Sequence, residues 1–229
     1  MAQGISKAVR ETLGTMAYLH FAFEHQIANE SALAKLIKPR VEEKLGRPVS
    51  NGAVIAAVRR ALLTYKPAQR EKNFFELLKS SKLFIRTGMV EAHFKRTQKT
   101  LEKLAVLGKK INWIQGEKMY VLQRTEELTI IADEMHLNEI LACAPKTGLL
   151  SLSKDRAVIT IVYDPYYFAE SFGGLHFYTG QFAMLGIGIY LIFSTYSATS
   201  FVIKEKDAAR AYKYISNALA EASKTIGGK

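Results

Sequence analysis

The residues best placed to do chemistry lie between Asp164 and Ile187, where a carboxylate, several aromatic rings and a glycine pair follow one another without a Lys or Arg. Gly173 and Gly174 allow the backbone to approach a ligand closely, and free amides at a helix N-terminus favour a carboxylate. Asp164 is suited to accept an ammonium group. Tyr166, Tyr167, Phe168 and Phe172 suit an apolar side chain. The same residues also fit plainer roles, the glycines as a tight strand-to-helix turn and the rings as buried packing. Elsewhere the chemistry is sparse. His20, His25, His93, His136 and His176 stand in separate contexts without metal-ligand spacing, and His20 and Glu24 read as neighbours on a helix face. Cys143 has no base near it in sequence and packs as a small apolar side chain. Gly186-Ile187-Gly188 precedes a strand instead of following one, opposite to a dinucleotide fingerprint. The expectation is therefore no enzyme, no catalytic residue, no metal and no cofactor.

The 229 residues suffice for two or three small domains, and 48% hydrophobic with 23% charged residues describes a globular chain. A single cysteine excludes an intramolecular disulfide and fits a reducing, cytoplasmic setting. No secretory signal is read at the N-terminus. The stretch 171–203 lacks Asp, Glu, Lys and Arg, yet its polar residues and central glycines favour a buried helix–strand–strand unit over a membrane span. Charge is uneven. Residues 1–110 hold 21 Lys and Arg against 9 Asp and Glu, whereas 111–229 hold 11 against 12. A basic front half points to a phosphate-bearing partner.

From residue 154 the pattern is βαββα. A β-branched strand at 158–163 leads through the aromatic loop to a helix with Leu175, Tyr178, Phe182 and Leu185 at helical spacing, stopped at Gly186. Strands at 187–193 and 200–203 follow. A last helix from about Asp207 places Ala208, Ala211, Tyr212, Ile215, Ala218 and Leu219 on one face. This order, with Gly173-Gly174-Leu175, Leu185-Gly186-Ile187-Gly188-Ile189 and the turn and strand 194–203, resembles the ACT domain. That fold binds amino acids in metabolic regulation. The resemblance implies an amino-acid effector held by Asp164, Phe172, Gly173, Gly174, Leu175 and Ile187. The fourth strand usual in the family is not visible after the last helix.

Residues 82–153 repeat the same order, with strands at 83–94 (broken at Thr87-Gly88), 119–124, 128–132 and 148–152 and helices at 96–107 and 137–142. This diverged unit lacks a matching glycine pair and is expected to have lost ligand binding. A competing reading makes 111–122 a hairpin turning at Gln115-Gly116-Glu117. The first 66 residues read as helices: 7–24, a second capped by Asn29 or Ser31, a short piece opened by Pro39, and one capped by Ser50. Short helices and tight turns suit a helix-turn-helix, with Asn51, Ile55 and Arg59 facing a groove and Lys66, Arg70 and Lys72 meeting phosphates. A helical dimerisation bundle is the plainer alternative.

The expected organisation is thus α+β: a helix-turn-helix at 1–66, a linker helix at 67–81, and two ferredoxin-like βαββαβ units at 82–153 and 154–229. The combination resembles an archaeal group of predicted regulators of amino-acid metabolism. That resemblance implies a homodimer, an amino-acid effector, and either double-stranded DNA or a biosynthetic enzyme as target.

Overall fold

The computed structural model describes residues 4–16, 19, 22–23, 27–64, 72–171 and 173–224, without the side chains of 72 and 222–224. The chain forms two compact units, 1–70 and 71–229. In the first, helices α1 (Ile5–Gly14), α2 (Glu30–Leu45) and α3 (Asn51–Leu63) bury Val9, Ile37, Val41, Val54 and Val58 in one core. Asn29 caps α2 through Ala32 N and Ser50 caps α3 through Ala53 N. The helix expected over 7–24 ends instead at Gly14, a poor helix former. Pro39 does not start a new piece, because α2 runs through it. Pro39 and Lys35, whose carbonyl loses its amide partner, are both exposed, so water can take that bond.

The second unit contains α4 (Lys72–Ser80), β1 (Lys82–Lys95), α5 (Gln98–Gly108), β2 (Met119–Gln123), β3 (Glu127–Asp133), α6 (Leu137–Ala142) and β4 (Leu149–Val162). It continues with α7 (Pro165–Ala169), α8 (Gly174–Met184), β5 (Leu191–Thr195), β6 (Ala198–Lys204) and α9 (Ala208–Lys224). The six strands among the described residues form one antiparallel sheet in the order β2-β3-β1-β4-β6-β5. The strands expected at 148–152 and 158–163 are a single strand, β4, because the polar run Ser153–Arg156 stays in the ladder through a bulge. The hairpin alternative at 111–122 does not form. Trp113–Gln115 is a single 3-10 turn and Gly116 takes a φ of 85°. The strand expected at 187–193 begins only at Leu191, since Ile187 is drawn into the core behind Gly186 (φ 65°).

Two ferredoxin-like halves share the long strands. The first is built from 89–95 of β1, β3, β2 and the start of β4; the second from 156–162 of β4, β6, β5 and the start of β1. The missing fourth strand of the C-terminal half is therefore Lys82–Arg86, supplied from before the first half. Bulges at the crossover let one sheet serve both. Arg86 pairs with Val158 but Met89 with Arg156, so β1 carries one extra residue at Thr87-Gly88, where Gly88 has a φ of 67°. That residue inverts the alternation. Leu83 faces the helices in one half, whereas Val90, Ala92 and Phe94 do so in the other. Both helical layers consequently lie on one side. On the other side the sheet curls until the rings of Tyr120 and Phe193, from its two outermost strands, stand 4.8 Å apart. Between them Met89, Ile131, Val158 and Val202 are buried.

A Gly88→Ala substitution meets open space but keeps a left-handed φ. It should lower stability by about 1–2 kcal/mol, measured by urea unfolding, with an unchanged slope against denaturant.

Candidate functional site

The loop between β4 and α8 is built on Tyr163, whose hydroxyl is 2.9 Å from Thr199 Oγ1 and whose ring stacks on Phe168 at 4.2 Å. Asp164 is exposed, and its Oδ1 accepts from Tyr166 N at 2.9 Å, capping α7. Gly173 has a φ of 89°, a conformation that favours glycine, and Gly174 opens α8. The first amides of α8 have no acceptor within the helix. Leu175 is 44% exposed, whereas Ile187 is buried at 6%. Asp164, Gly173, Gly174 and Leu175 thus lie along one segment, whereas Ile187 is in the core. Phe172 lies outside the described residues.

Helix α4 and Ser81 after it pack onto this loop and onto α8. Leu77, with no exposed surface, lies so close that a Cβ on Gly174 would stand 2.7 Å from its Cδ2. Asn73 Nδ2 donates to Glu170 O at 3.2 Å, Asp164 N donates to Ser80 Oγ at 3.3 Å, and Phe74 meets Phe177 edge-on at 6.0 Å. Ser81 Oγ and the Tyr178 hydroxyl are 2.8 Å apart, and burial pushes that phenol up to about 12. Gly174 therefore serves a close approach of α4.

A charged cluster on the helix-free face had no signature in the sequence. Arg156 Nε donates to Glu91 Oε2 at 2.6 Å with both side chains buried, and its other nitrogens reach Asp155 Oδ1 and Ser153 Oγ. Tyr190 lies over the guanidinium at 3.9 Å. His93 stands between Glu91 (3.2 Å) and Glu127 (3.0 Å), with Thr129 Oγ1 also 3.0 Å away. Its hydrogen bond holds the Glu127 carboxyl below the usual range. Glu117 is lowered likewise, first by the Asn112 amide and then by His136, 2.9 Å away. The polar run around Arg156 reads as a connector in sequence, which hid its partnership with Glu91, 65 residues upstream.

In the first unit Asn51 and Arg59 are exposed on α3 while Ile55 is half-buried against the core. Arg59 Nε is held by Glu30 Oε2 at 2.8 Å. Lys66 and Arg70 lie outside the described residues. Lys72 begins α4, its side chain likewise undescribed. Among the described residues no group of three His, Cys, Asp or Glu could hold a metal, and no helix is long and apolar enough to cross a membrane.

Gly174→Ala should destabilise the protein by about 1–3 kcal/mol, and Leu77→Ala should make the two effects non-additive in a thermal-unfolding cycle. Acid sensitivity follows from the glutamates. Their depressed folded-state values give stabilisation that is present above the ordinary carboxylate range and lost as pH falls through the folded values. Urea midpoints should therefore decline on acidification, and less so in a Glu117→Gln, Glu127→Gln double variant.

No protein-family model and no curated protein sequence matches the chain. The fold is similar to aspartate kinase from Synechocystis, at 14% identity and a TM-score of 0.50 over 62% of this chain and 27% of that one. It is also similar to the ligand-free regulatory subunit of aspartate kinase from Thermus thermophilus (14% identity, TM-score 0.47, 59% of this chain and 95% of that one). A further similarity is to a Vibrio cholerae protein described as of unknown function and a possible transport protein (16%, 0.44, 66% and 97%). At these identities the likeness is one of fold, and that fold is α+β and ACT-like, as the sequence resemblance implied.

Proposed function

We propose that this chain is a regulatory, non-catalytic protein of the cytoplasm whose second unit responds to an amino acid and thereby modulates an enzyme of amino-acid metabolism. The observation that carries this reading is the doubled ferredoxin-like sheet, which is part of a fold similar to 27% of the Synechocystis aspartate kinase chain. The effector meets the rim of the 164–175 loop, with Asp164 toward its ammonium and Leu175 toward its side chain. Binding alters regulation only by favouring one arrangement of the protein over another, so the effector must bind one arrangement more tightly. The protein acts as a homodimer.

A second reading, an amino-acid-responsive DNA-binding regulator, draws on one observation. Helix α3 follows α2 after a five-residue turn, Gly46–Ser50, and presents Asn51 and Arg59 to solvent. In that case Lys66, Arg70 and Lys72 contact phosphates, and duplex binding falls steeply with salt.

A thermal-shift series against the twenty amino acids tests the sensor. An effector at one hundred times its dissociation constant adds roughly 2.7 kcal/mol to the folded state. A raised Tm with one or a few amino acids, abolished by Asp164→Ala, is the expected result; no shift with any of them contradicts it. Co-purification with a biosynthetic enzyme favours the first reading, and salt-sensitive retardation of duplex DNA favours the second.

A further inference from the structure

The two edges of the sheet are built alike but charged differently. Among the described residues, strand β2 has β3 on one side and no strand on the other. Lys118 O and Arg124 N bond to β3, so alternation turns the N–H and C=O groups of Met119, Val121 and Gln123 outward. Among the described residues nothing pairs with them. Beside this edge an apolar groove of about 270 Å³ runs between α5 and β2, lined chiefly by Leu101, Ala105, Gly108, Trp113, Met119 and Val121. Trp113 is 52% exposed and the neighbouring Ile114 99% exposed.

Segment 95–124 supplies both walls of the groove and carries eight Lys and Arg against two Asp and Glu. Among the described residues Lys95, Arg96, Lys99, Lys109, Lys110 and Arg124 form no ion pair. The corresponding segment of the other half, 163–195, has no Lys or Arg and two acids. A second copy presenting the same β2 edge would bring the same positive excess and be repelled. An unpaired strand edge, an apolar groove alongside it and a surplus of cations call for one kind of occupant. We infer that β2 and the groove dock an acidic, extended segment of a partner protein, which adds to the sheet as a strand and seats an apolar side chain against Trp113. This deepens the enzyme-modulating reading and rests on it, whereas the amino-acid response is read out separately by thermal shift.

Trp113 is the chain's single tryptophan, so its emission reports the groove directly. The probe is a short capped peptide alternating Glu with Val and Leu, compared with one carrying Lys in place of Glu. The expected result is a saturable change with the acidic peptide alone, weakened by high salt. Val121→Pro removes an outward amide that an edge strand can spare, and should weaken binding about tenfold or more without unfolding the protein. If it fails to fold, Ala105→Glu, at an exposed position in the groove, should weaken binding similarly. No saturable response of the wild-type protein, or equal binding of the lysine peptide, would overturn the inference. So would a dimer in sedimentation that Val121→Pro dissolves, since a second copy would then hold the edge.

Discussion

Antiparallel pairing of β1 with β4 runs from Lys82 opposite Val162 to Phe94 opposite Leu149, and each strand belongs to both ferredoxin-like halves. Neither half can complete its sheet alone: the first needs the start of β4 and the second the start of β1. Parting this ladder would leave Ile159 and Ile161 in one core, and Val90 and Ala92 in the other, without their neighbours. The halves are thus interlocked, and a disturbance in one alters the strand that closes the other.

Curvature follows from the same pair of strands. The bulges at Thr87-Gly88 and near Arg156 bend the sheet, bring Tyr120 to Phe193, and enclose the Met89, Ile131, Val158 and Val202 cluster. The buried Arg156–Glu91 pair lies beside the bulge and ties β4 to β1. A buried pair of this kind gives little net stability, but removing one partner strands a charge, at a cost of about 3–5 kcal/mol. Its physical effect is to fix the register of the shared ladder, because slipping by one residue would bury each charge unpartnered.

Much of this architecture was legible in the residues. The helical spacing of Tyr178 and Phe182, the stop at Gly186, the caps at Asn29 and Ser50 and the break at Thr87-Gly88 all act locally, and local signals survive in sequence. What stayed hidden depends on distant pairing. No pattern in Lys82–Arg86 shows that it closes a sheet whose other strands lie 70 to 120 residues later. Nor does Gly174 reveal that its missing Cβ makes room for Leu77, or Arg156 that it answers Glu91. Helix α4 reads as a connector because its polar flanks resemble one, yet Phe74, Leu77 and Leu78 are core residues.

The two halves have diverged in what they present to solvent. One keeps the uncharged α8 and β5 edge below an aromatic loop, while the other carries the cationic α5 and the open groove. Such a division suits the proposed sensing on one side and docking on the other, provided the shared strands make the unit a single cooperative body. Native-state hydrogen exchange tests that interlock most directly. The amides of Phe84 and Arg86 should open only with the global unfolding of residues 71–229, at the same free energy as those of Ile130 and Val158. Exchange of 82–86 at a much lower free energy, while β4 and β6 stay protected, would show that the second half closes without its borrowed strand and would contradict the account.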